Sequence, residues 1–480
     1  MADRIIRDVH VRMLSVILAC FLYTSTGYLS WVYRLMALGA VDNPDFLTLL
    51  VAYLMQALGV GVYLWLARRC DERGLRRVAL VAMAVAAVLL VPSTVVGGVA
   101  TTIVAGLAEN VTYGLIQGFY MGELALLVEG NSQGMVFGVA YGVSTLAGWL
   151  LSLPADGALS WGNGCLVLCC LLALVAMVAL RALPLPSDSG CEEGHSSQVD
   201  ASLLELVPLA ALAVVMVSVV KTMGFAFPSV DLGGGVSIEL SRLFYGVGLV
   251  VAGLASDRDR RLGLLVCGLA LVTPFLMLAL SGAGVSGAPL WALEYFLTGF
   301  YVLFRVLLFA DLARGAGVPH LAGAGLMFGR IGDALGEGLF LLLAGAPVAL
   351  IAATTLLFVA TTGVLLALYQ RLFVRDGQAA SLDVAPMPGA APMPDVVPVV
   401  APPSEREVFE RFAAEHGLTA RERDVLRLVL DERSNAEIAG TLGVSEQTVK
   451  FHVGNLLKKT GCKSRLEVLA AYAGVRPTNA

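Results

Sequence analysis

Charged residues are scarce in this chain of 480 residues. Asp, Glu, Lys and Arg together make up only 14% of it, whereas hydrophobic residues make up 58%. A water-soluble protein of this length needs far more charge to cover its surface. A soluble fold is therefore excluded for most of the chain, and we expect its apolar residues to face lipid.

Residues that carry metal, redox or catalytic chemistry are few and poorly spaced. None of the five His has a partner at zinc-binding spacing, and the eight Cys include no Cys-x-x-Cys pair. The sequence also lacks a Gly-rich phosphate loop and a nucleophile elbow. We therefore predict no enzymatic activity, no cofactor, no metal site and no disulfide framework.

Long apolar runs fill the first three quarters of the chain. About 20 apolar residues are needed to cross the hydrocarbon layer of a membrane. Twelve candidate spans lie near residues 11–33, 46–67, 78–96, 98–121, 134–154, 162–182, 204–227, 238–255, 262–281, 287–311, 322–346 and 348–372. This pattern predicts an all-α, polytopic helix bundle in contact with membrane lipid.

Basic residues set the orientation of the bundle, because they stay on the cytoplasmic side of a membrane. If the N-terminus is cytoplasmic, four basic segments are cytoplasmic too, namely Arg68–Arg77, Arg258–Arg261, Arg314–His320 and Arg371–Arg375. An even number of spans returns the chain to the same side. We predict a multi-pass protein of the cytoplasmic (inner) membrane with both termini in the cytoplasm.

Two short loops repeat each other across six spans. The first reads Ala-Arg-Arg-Cys-Asp-Glu-Arg-Gly-Leu-Arg-Arg over 67–77, and the second reads Gly-Leu-Ala-Ser-Asp-Arg-Asp-Arg-Arg over 253–261. They resemble the cytoplasmic signature loop of the major facilitator superfamily, although Glu72 replaces a usual Arg and the second copy is shortened. The resemblance implies two six-helix halves related by a parallel repeat. Ordinary basic loops of another helix bundle are the alternative.

Ionisable residues inside the spans are the main candidates for a membrane site, because charge is expensive in hydrocarbon. They are Glu109, Arg305, Arg330, Asp333 and Glu337. The last three are spaced i, i+3 and i+7, so they share one helix face. They either line a cavity for an unknown small-molecule ligand or form a buried ion network that fixes helix packing, with Arg330 satisfied by Asp333 or Glu109.

The chain changes character after the last span. We assign residues 1–373 to the membrane domain, 374–403 to a Pro-rich linker and 404–480 to a soluble domain. The linker contains the run Pro-Met-Pro-Gly-Ala-Ala-Pro-Met-Pro from residue 386, which cannot form a stable helix or central strand. An extended linker gives the soluble domain reach away from the membrane.

The soluble domain contains helix signals at regular intervals. A capping box is formed by Thr419 and Glu422, Asn435 caps a short helix, and Ser445 caps the next helix. From Gly443 to Arg465 there are five basic residues and one acidic residue. Basic charge focused on the second of two short helices is typical of a helix-turn-helix that binds double-stranded DNA.

Four motifs in the soluble domain occur in a familiar order. They are Leu-Thr-x-Arg-Glu from 418, Ser-Asn-x-Glu-Ile-Ala from 434, Thr-Val-Lys-x-His from 448 and Lys-Lys at 458–459. Together they resemble the LuxR/NarL-type helix-turn-helix. The resemblance implies a four-helix domain without a wing that binds double-stranded DNA, in which Thr448, Val449, Lys450 and His452 face DNA and Lys458 or Lys459 touches phosphate.

Further site residues follow from the same reasoning. Near the start of the recognition helix, Gln447 joins Thr448 and Lys450 as a side chain in reach of base edges. The resemblance implies a last helix that forms a homodimer on DNA, with Leu466, Leu469 and Tyr472 at the interface. The sequence departs from the pattern at Gly454, which costs a helix roughly 1 kcal/mol.

The leading interpretation is a membrane-integrated transcriptional regulator whose bundle senses a ligand or membrane signal. No phosphoacceptor domain lies between the bundle and the soluble domain, so the input is expected from the membrane. The alternative is a working secondary transporter with an appended regulatory domain. Proteolytic release of the soluble domain at the linker is a third possibility.

Overall fold

The computed structural model describes two compact units, divided at Ala385/Pro386. Described residues are 2–40, 46–152, 163–184, 201–225, 227, 238–282, 288–374, 409, 412–413, 416, 418–430, 433, 435–442, 445–460, 468 and 472. Most of the predicted linker therefore lies outside the described residues, and each unit is described by itself.

The first unit is built from helices. In chain order they are α1 Ala2–Ala37, α2 Phe46–Ala67, α3 Glu72–Thr94, α4 Val99–Leu127, α5 Gln133–Ser152, α6 Asn163–Arg181, the short α7 Ala201–Leu204, α8 Val207–Phe225, α9 Ile238–Arg258, α10 Arg260–Ala270, α11 Thr273–Gly282, α12 Ala288–Gly315, α13 Ala324–Leu343 and α14 Pro347–Tyr369. A π-helical turn, Gln370–Val374, follows α14.

Helices cover each of the twelve predicted spans, with one interruption. Among the described residues, eight helical segments are long and apolar enough to cross a membrane by length and composition. The predicted span 262–281 is divided between α10 and α11 at Leu271 and Val272. Pro274 explains the break, since proline cannot donate a backbone hydrogen bond and its ring clashes with the carbonyl four residues earlier.

Helix packing in the first unit repeats after six spans. Helix α1 packs on α5 and α6, as α8 packs on α13 and α14, and α2 packs on α4, as α9 packs on α12. The two halves then meet through α5 against α9 and α2 against α13. The packing therefore confirms the internal repeat predicted from the two signature loops.

Glycine permits close backbone contact at equivalent places in the two halves. A Cβ on Gly59 of α2 would lie 2.0 Å from the Val111 carbonyl oxygen of α4. A Cβ on Gly248 of α9 would lie 2.1 Å from the Phe296 carbonyl oxygen of α12. No side chain fits at such distances, so both helix pairs depend on glycine for their spacing.

The contact between the halves also uses glycine. On α5, Gly134, Gly138 and Gly142 recur every fourth residue and face α9. A Cβ on Gly253 of α9 would lie 2.2 Å from the Gly134 carbonyl oxygen. The two halves consequently touch backbone to backbone along this seam.

The second signature loop ties the halves together at one end of the same seam. The Asp257 carboxylate accepts hydrogen bonds from the Gly134 and Met135 backbone N–H groups, at 2.8 and 2.6 Å. These N–H groups belong to the first turn of α5, where helical donors have no internal partner. Arg260 donates to Asp257 at 3.0 Å and to Asp311 at 2.9 Å. The loop thus caps a helix of the other half.

The second unit contains three described helices, α15 Ala420–Leu430, α16 Asn435–Leu442 and α17 Glu446–Thr460. Helix α17 packs on both α15 and α16. Its core is formed by buried apolar side chains, including Phe412, Leu426, Ile438, Val449 and Leu456. The helix predicted from Glu405 and the predicted last helix fall mostly outside the described residues.

We predict that Gly253→Ala weakens the membrane unit. The added methyl group has no room beside the Gly134 carbonyl, and overpacking of this kind costs about 1–3 kcal/mol. The measurement is thermal unfolding of the full chain in detergent, followed by size-exclusion chromatography. Gly268→Ala is the matched control, because nothing lies within 4 Å of its added Cβ. Equal melting temperatures for the two variants would contradict the close packing of α9 on α5 at Gly253.

Candidate functional site

The capping box predicted at the start of α15 is present in the structure. The Thr419 backbone N–H donates to Glu422 Oε2 at 2.8 Å, and the Glu422 N–H donates to Thr419 Oγ1 at 3.4 Å. These reciprocal bonds satisfy two backbone donors that the first helical turn leaves without partners. They also fix the Glu422 carboxylate in place, with the residue only 4% exposed.

Lys459, which we expected to touch DNA phosphate, binds Glu422. Its Nζ lies 2.7 Å from Glu422 Oε2. The bond joins the C-terminal end of α17 to the start of α15, so it holds the recognition helix against the rest of the unit. The Lys459 side chain remains 35% exposed. Its contact with phosphate stays a prediction.

Burial and hydrogen bonding act in opposite directions on the Glu422 carboxyl group. Burial raises its pKa, but hydrogen bonds from Lys459 and Thr419 outweigh burial and lower the pKa from its ordinary value. The folded unit therefore holds Glu422 as a carboxylate.

Ser445 begins the recognition helix in the predicted manner. Its Oγ accepts the Thr448 backbone N–H at 3.2 Å, and the two hydroxyl groups lie 2.8 Å apart. A serine in this position replaces a missing helical acceptor for the first turn. The cap thus lies two residues before Gln447, whose side chain in the first turn is exposed.

One face of α17 is open to solvent. Gln447, Lys450, Gly454 and Lys458 are all exposed, and they follow each other at spacings of three and four residues. Thr448 and His452 flank this face and are half-buried. A Cβ on Gly454 would have nothing within 4 Å. DNA contact by these residues stays a prediction that their placement allows.

Val449 requires a correction. We expected it to face DNA, but its side chain is fully buried, with 0% exposed. It packs in the core of the unit with Ile438 and Leu456. A helix residue two positions from Gln447 points to the opposite side, so Val449 positions the helix and cannot reach a base edge.

The predicted dimer interface is described at one residue only. Tyr472 is 6% exposed, and its ring lies 5.3 Å from the Phe412 ring at an interplanar angle of 84°. This edge-to-face contact uses Tyr472 inside its own protomer. Leu466 and Leu469 lie outside the described residues, and dimerisation stays a prediction.

The membrane unit contains a buried ion pair on neighbouring helices. Arg305 of α12 donates to Asp333 Oδ2 of α13 at 2.9 Å, and the side chains are 4% and 6% exposed. Tyr301 Oη accepts a hydrogen bond from Arg305 at 2.8 Å and donates to Asp333 Oδ1 at 2.9 Å. Pairing of buried charges is what a low-dielectric environment demands, although the buried Arg305 Nε has no hydrogen-bond partner among the described residues.

Helix α8 completes the group. Ser218 Oγ lies 2.8 Å from Tyr301 Oη, and Thr222 Oγ1 lies 3.4 Å from Asp333 Oδ1. Lys221 directs its ammonium group over the rings of Phe225 and Tyr301, at 4.7 and 5.6 Å from the centroids. All of these residues belong to the second half. We call Ser218, Tyr301, Arg305 and Asp333 the second-half ion cluster.

The remaining predicted cavity residues are placed elsewhere. Arg330 lies on the contact between the halves, with its guanidinium 4.7 Å from the ring centroid of Tyr53 on α2. Asp333 is bound to Arg305, so Arg330 does not have it as its principal partner. Glu337 is buried one turn further along α13. Arg330, Asp333 and Glu337 share one helix face, but Arg330 lies against Tyr53 whereas Asp333 pairs with Arg305.

Glu109 is enclosed in the first half. Ser93 donates to Glu109 Oε2 at 2.8 Å, and the Tyr113 hydroxyl donates to Oε1. The neighbouring Asn110 accepts a bond from Gln56 at 2.9 Å. Glu109 therefore satisfies its oxygens within its own half, and it does not pair with Arg330.

Sequence reasoning missed the aromatic residues of the site. A cavity of about 330 Å³ is lined by Phe21, Tyr28, Tyr141, Tyr245, Tyr295 and Ser144, among others. We call it the aromatic cavity. Phe21 of α1 stacks on Tyr141 of α5 at 3.9 Å, and Tyr245 of α9 meets Tyr141 edge to face at 5.9 Å. These residues come from four distant helices, so no local spacing predicts them.

We predict that acid destabilises the second unit through Glu422. Its folded-state pKa is lowered, so its stabilising contribution is complete above the ordinary glutamate pKa of about 4.3 and is lost as pH falls through the folded-state value. The measurement is thermal unfolding of a 404–480 fragment between pH 7 and pH 3. Glu422→Gln is expected to flatten this dependence. Asp424→Asn, which alters an exposed pair 3.7 Å long, is the control and is expected to leave it steep.

Comparison with known proteins separates the two units. Residues 416–472 match the family of bacterial regulatory proteins named luxR. The chain is 48% identical over 61 residues to the nitrate/nitrite response regulator NarP of Escherichia coli, covering 12% of this chain and 28% of NarP. It is 37% identical over 60 residues to the spore germination protein GerE of Bacillus subtilis, covering 12% of this chain and 81% of that protein. The chain thus spans about a quarter of NarP and most of GerE.

The membrane unit resembles solved transporters in fold. The human organic anion transporter MFSD10 matches with a TM-score of 0.53 and 17% identity, over 76% of this chain and 98% of its own. A peptide transporter of the POT type matches with a TM-score of 0.50 and 14% identity, over 74% and 92%. At these identities the likeness concerns the fold alone, and it confirms the predicted major facilitator architecture.

The C-terminal domain contains a helix capped by Ser445 and held in place through Lys459. One family matches this domain in sequence over 57 positions. Through its C-terminal domain, joined to a membrane unit of major facilitator fold, the chain belongs to the luxR family of bacterial regulatory proteins.

Proposed function

We propose that the protein is a membrane-integrated transcriptional regulator whose bundle senses a ligand or membrane signal and controls DNA binding by the luxR-type domain. One observation carries the proposal, namely that a DNA-binding regulator domain and a transporter-fold bundle share one chain. Any ligand that binds two arrangements of the bundle unequally shifts their populations. Covalent linkage gives that shift a route to the DNA-binding domain.

The site favoured for the ligand lies in the bundle. The aromatic cavity draws on both halves, through α1 and α5 on one side and α9 and α12 on the other. Arg305 and Asp333 of the second-half ion cluster lie in the same bundle but are not among the residues that line this cavity. Apolar walls with a few placed polar groups are typical of small-molecule sites. A molecule held between the halves has different contacts when they rock apart, which is the requirement for signalling.

Cytoplasmic placement of the DNA-binding domain follows from charge. The basic loops predicted from the sequence and an even number of predicted spans support a cytoplasmic position for both termini. Dimerisation on DNA through the last helix is a further part of the proposal. In this scheme the linker serves as tether and sets the reach of the domain.

Transport is the second candidate function, and the fold itself favours it. The bundle resembles known transporters, and a buried ion pair is a common part of a substrate path. In that case Arg305 and Asp333 serve substrate movement, and the DNA-binding domain reports on it. The two functions differ in whether a substrate crosses the membrane.

We predict that Lys458→Ala, on the exposed face of α17, weakens binding to DNA duplexes of any sequence by a similar factor. Loss of one phosphate contact removes about one unit of the slope of log affinity against log salt. Fluorescence anisotropy of the 404–480 fragment across a salt series measures the slope. Arg421→Ala removes the same charge from α15, where the side chain is 65% exposed, and is expected to leave the slope unchanged. Equal slopes for the two variants would place the DNA surface elsewhere.

We predict that Asp333→Asn abolishes the response of the membrane unit to its signal. It leaves the Arg305 charge buried without its partner, which costs about 3–5 kcal/mol. The double variant Arg305→Gln with Asp333→Asn removes both charges and is expected to restore folded protein without restoring the response. Asp8→Asn, in an exposed pair with Arg12, is the control for expression.

Two readouts of the Asp333 variants separate sensing from transport. A transcriptional reporter, guided by genome-wide mapping of DNA sites bound by the tagged protein, follows regulation. The genes next to the bound DNA sites indicate which molecule to test. A flux assay then measures whether that molecule crosses the membrane. Lost regulation without any wild-type flux supports the sensor, whereas wild-type flux that Asp333→Asn abolishes supports transport. If the C-terminal domain on an unrelated membrane anchor still responded to the signal, the sensing role would be wrong.

A further inference from the structure

A second cavity lies beside the last described residues of the membrane unit. Its volume is about 180 Å³, and its walls include Leu264 of α10, Leu308 of α12 and Phe373 of the turn Gln370–Val374. An apolar cavity of about 150 Å³ is known to hold benzene. We call Gln370–Val374 the exit segment and this space the exit cavity. Its size suits a molecule with one ring or a short chain.

One polar group in the exit cavity is buried and has no partner. Ser256 lines the cavity and is 2% exposed, and its Oγ has no hydrogen-bond partner among the residues that the structure describes. A Cβ on Gly263, another lining residue, would lie 3.0 Å from this oxygen. Glycine at that position therefore keeps a side-chain carbon from packing against the hydroxyl oxygen. A buried hydroxyl without a partner carries a desolvation cost that a ligand can remove.

The charged residues at the cavity exclude an anionic ligand. Arg260 donates to Asp257, to Asp311 and to the Ser256 backbone carbonyl oxygen, at 2.9 to 3.0 Å. Its guanidinium is thus occupied, and Arg314 also acts on Asp311, so the two carboxylates are balanced by two cations. The Asp311 side chain is 40% exposed, so the cavity has a polar edge at the surface. Occupants that leave this network intact are neutral.

The exit segment is part of the cavity wall. Phe373 lines it together with Leu372. The Phe373 ring also lies 5.3 Å from the Tyr369 ring and 5.6 Å from the Arg261 guanidinium of the second signature loop. A molecule in the cavity therefore touches the last described side chains before the linker.

We infer that the exit cavity binds a small, neutral, largely apolar molecule that carries one hydrogen-bonding group, and that its occupancy holds the exit segment on the bundle. Ser256 hydrogen-bonds the polar group, and Leu264, Leu308 and Phe373 enclose the apolar part. An effect on DNA binding rests on the proposed function. Binding itself, and its effect on the exit segment, do not.

Benzyl alcohol is the probe, because it combines one ring with one hydroxyl group. In the purified full-length Ser256→Cys variant, methyl methanethiosulfonate is expected to label the introduced thiol, as found by peptide mass mapping. Benzyl alcohol is expected to slow labelling at least fivefold, toluene less, and benzoate not at all. Ser30→Cys, on a residue 7% exposed that does not line the cavity, is expected to show no such protection. Absence of labelling at position 256, or equal protection by benzoate, overturns the site.

A cavity-filling variant tests the same site by another route. Leu264→Phe, made in the Ser256→Cys protein, is expected to abolish protection because its ring occupies the ligand volume. The neighbouring Leu265 is 57% exposed, whereas Leu264 is 6% exposed. Leu265→Phe is therefore the matched control, and protection is expected to survive in it. Protection that survives in both variants overturns the site.

Tryptic cleavage after Arg371, which is exposed, reports on the exit segment in the wild-type chain. Benzyl alcohol is expected to slow cleavage at least threefold in wild-type and Leu265→Phe proteins, and to leave Leu264→Phe unchanged. Cleavage that does not respond, while the thiol of the Ser256→Cys variant is protected, overturns the coupling to the exit segment. Neither assay contains DNA, so a protein that passes both and fails to regulate transcription refutes the proposed function and leaves the cavity assignment standing.

Discussion

The cost of charge in an apolar interior is the constraint on which the membrane unit depends. A buried ion without partners loses several kcal/mol, about as much as a whole domain's margin of stability. Arg305 and Asp333 meet this cost in the second half with Tyr301 and Ser218, while Glu109 meets it in the first half with Ser93 and Tyr113. These buried charges therefore find their partners within their own half. Contact between the halves includes glycine seams, Arg330 over Tyr53, the capping of α5 by Asp257, and hydrogen bonds from Arg260 and Arg314 to carbonyl oxygens of the first half.

This division suits a protein that rocks between two arrangements. Ion pairs inside a half move with it, so they need not be broken when the halves shift. The second signature loop concentrates several interactions between the halves, because Asp257 caps α5 and Arg260 donates to the Gly130 carbonyl oxygen of the first half. The exit cavity adjoins that loop and the exit segment. One end of the bundle thus combines the contact between halves, a cavity and the start of the tether to the DNA-binding domain.

Much of the fold was predictable because its signals are local. Spans of apolar residues, basic loops, the two signature loops and the capping box at Thr419 and Glu422 each lie within a short stretch of chain. The errors have equally physical causes. Pro274 divides one predicted span, and Val449 faces the core although Gln447 and Lys450 on the same helix are exposed. The backbone constraint of proline decided the first outcome, and the direction of a side chain decided the second.

The amino-acid sequence by itself determined that most of the chain lies in a membrane, that the bundle repeats, and that a luxR-type domain follows it, since hydrophobicity, charge asymmetry and an ordered motif are properties of short segments. The tertiary structure alone decided which charges meet. Asp333 shares its helix face with Arg330 yet pairs with Arg305 of the neighbouring helix, and the aromatic cavity is assembled from four helices far apart in the chain. Such contacts depend on how helices cross, which no spacing along one helix contains.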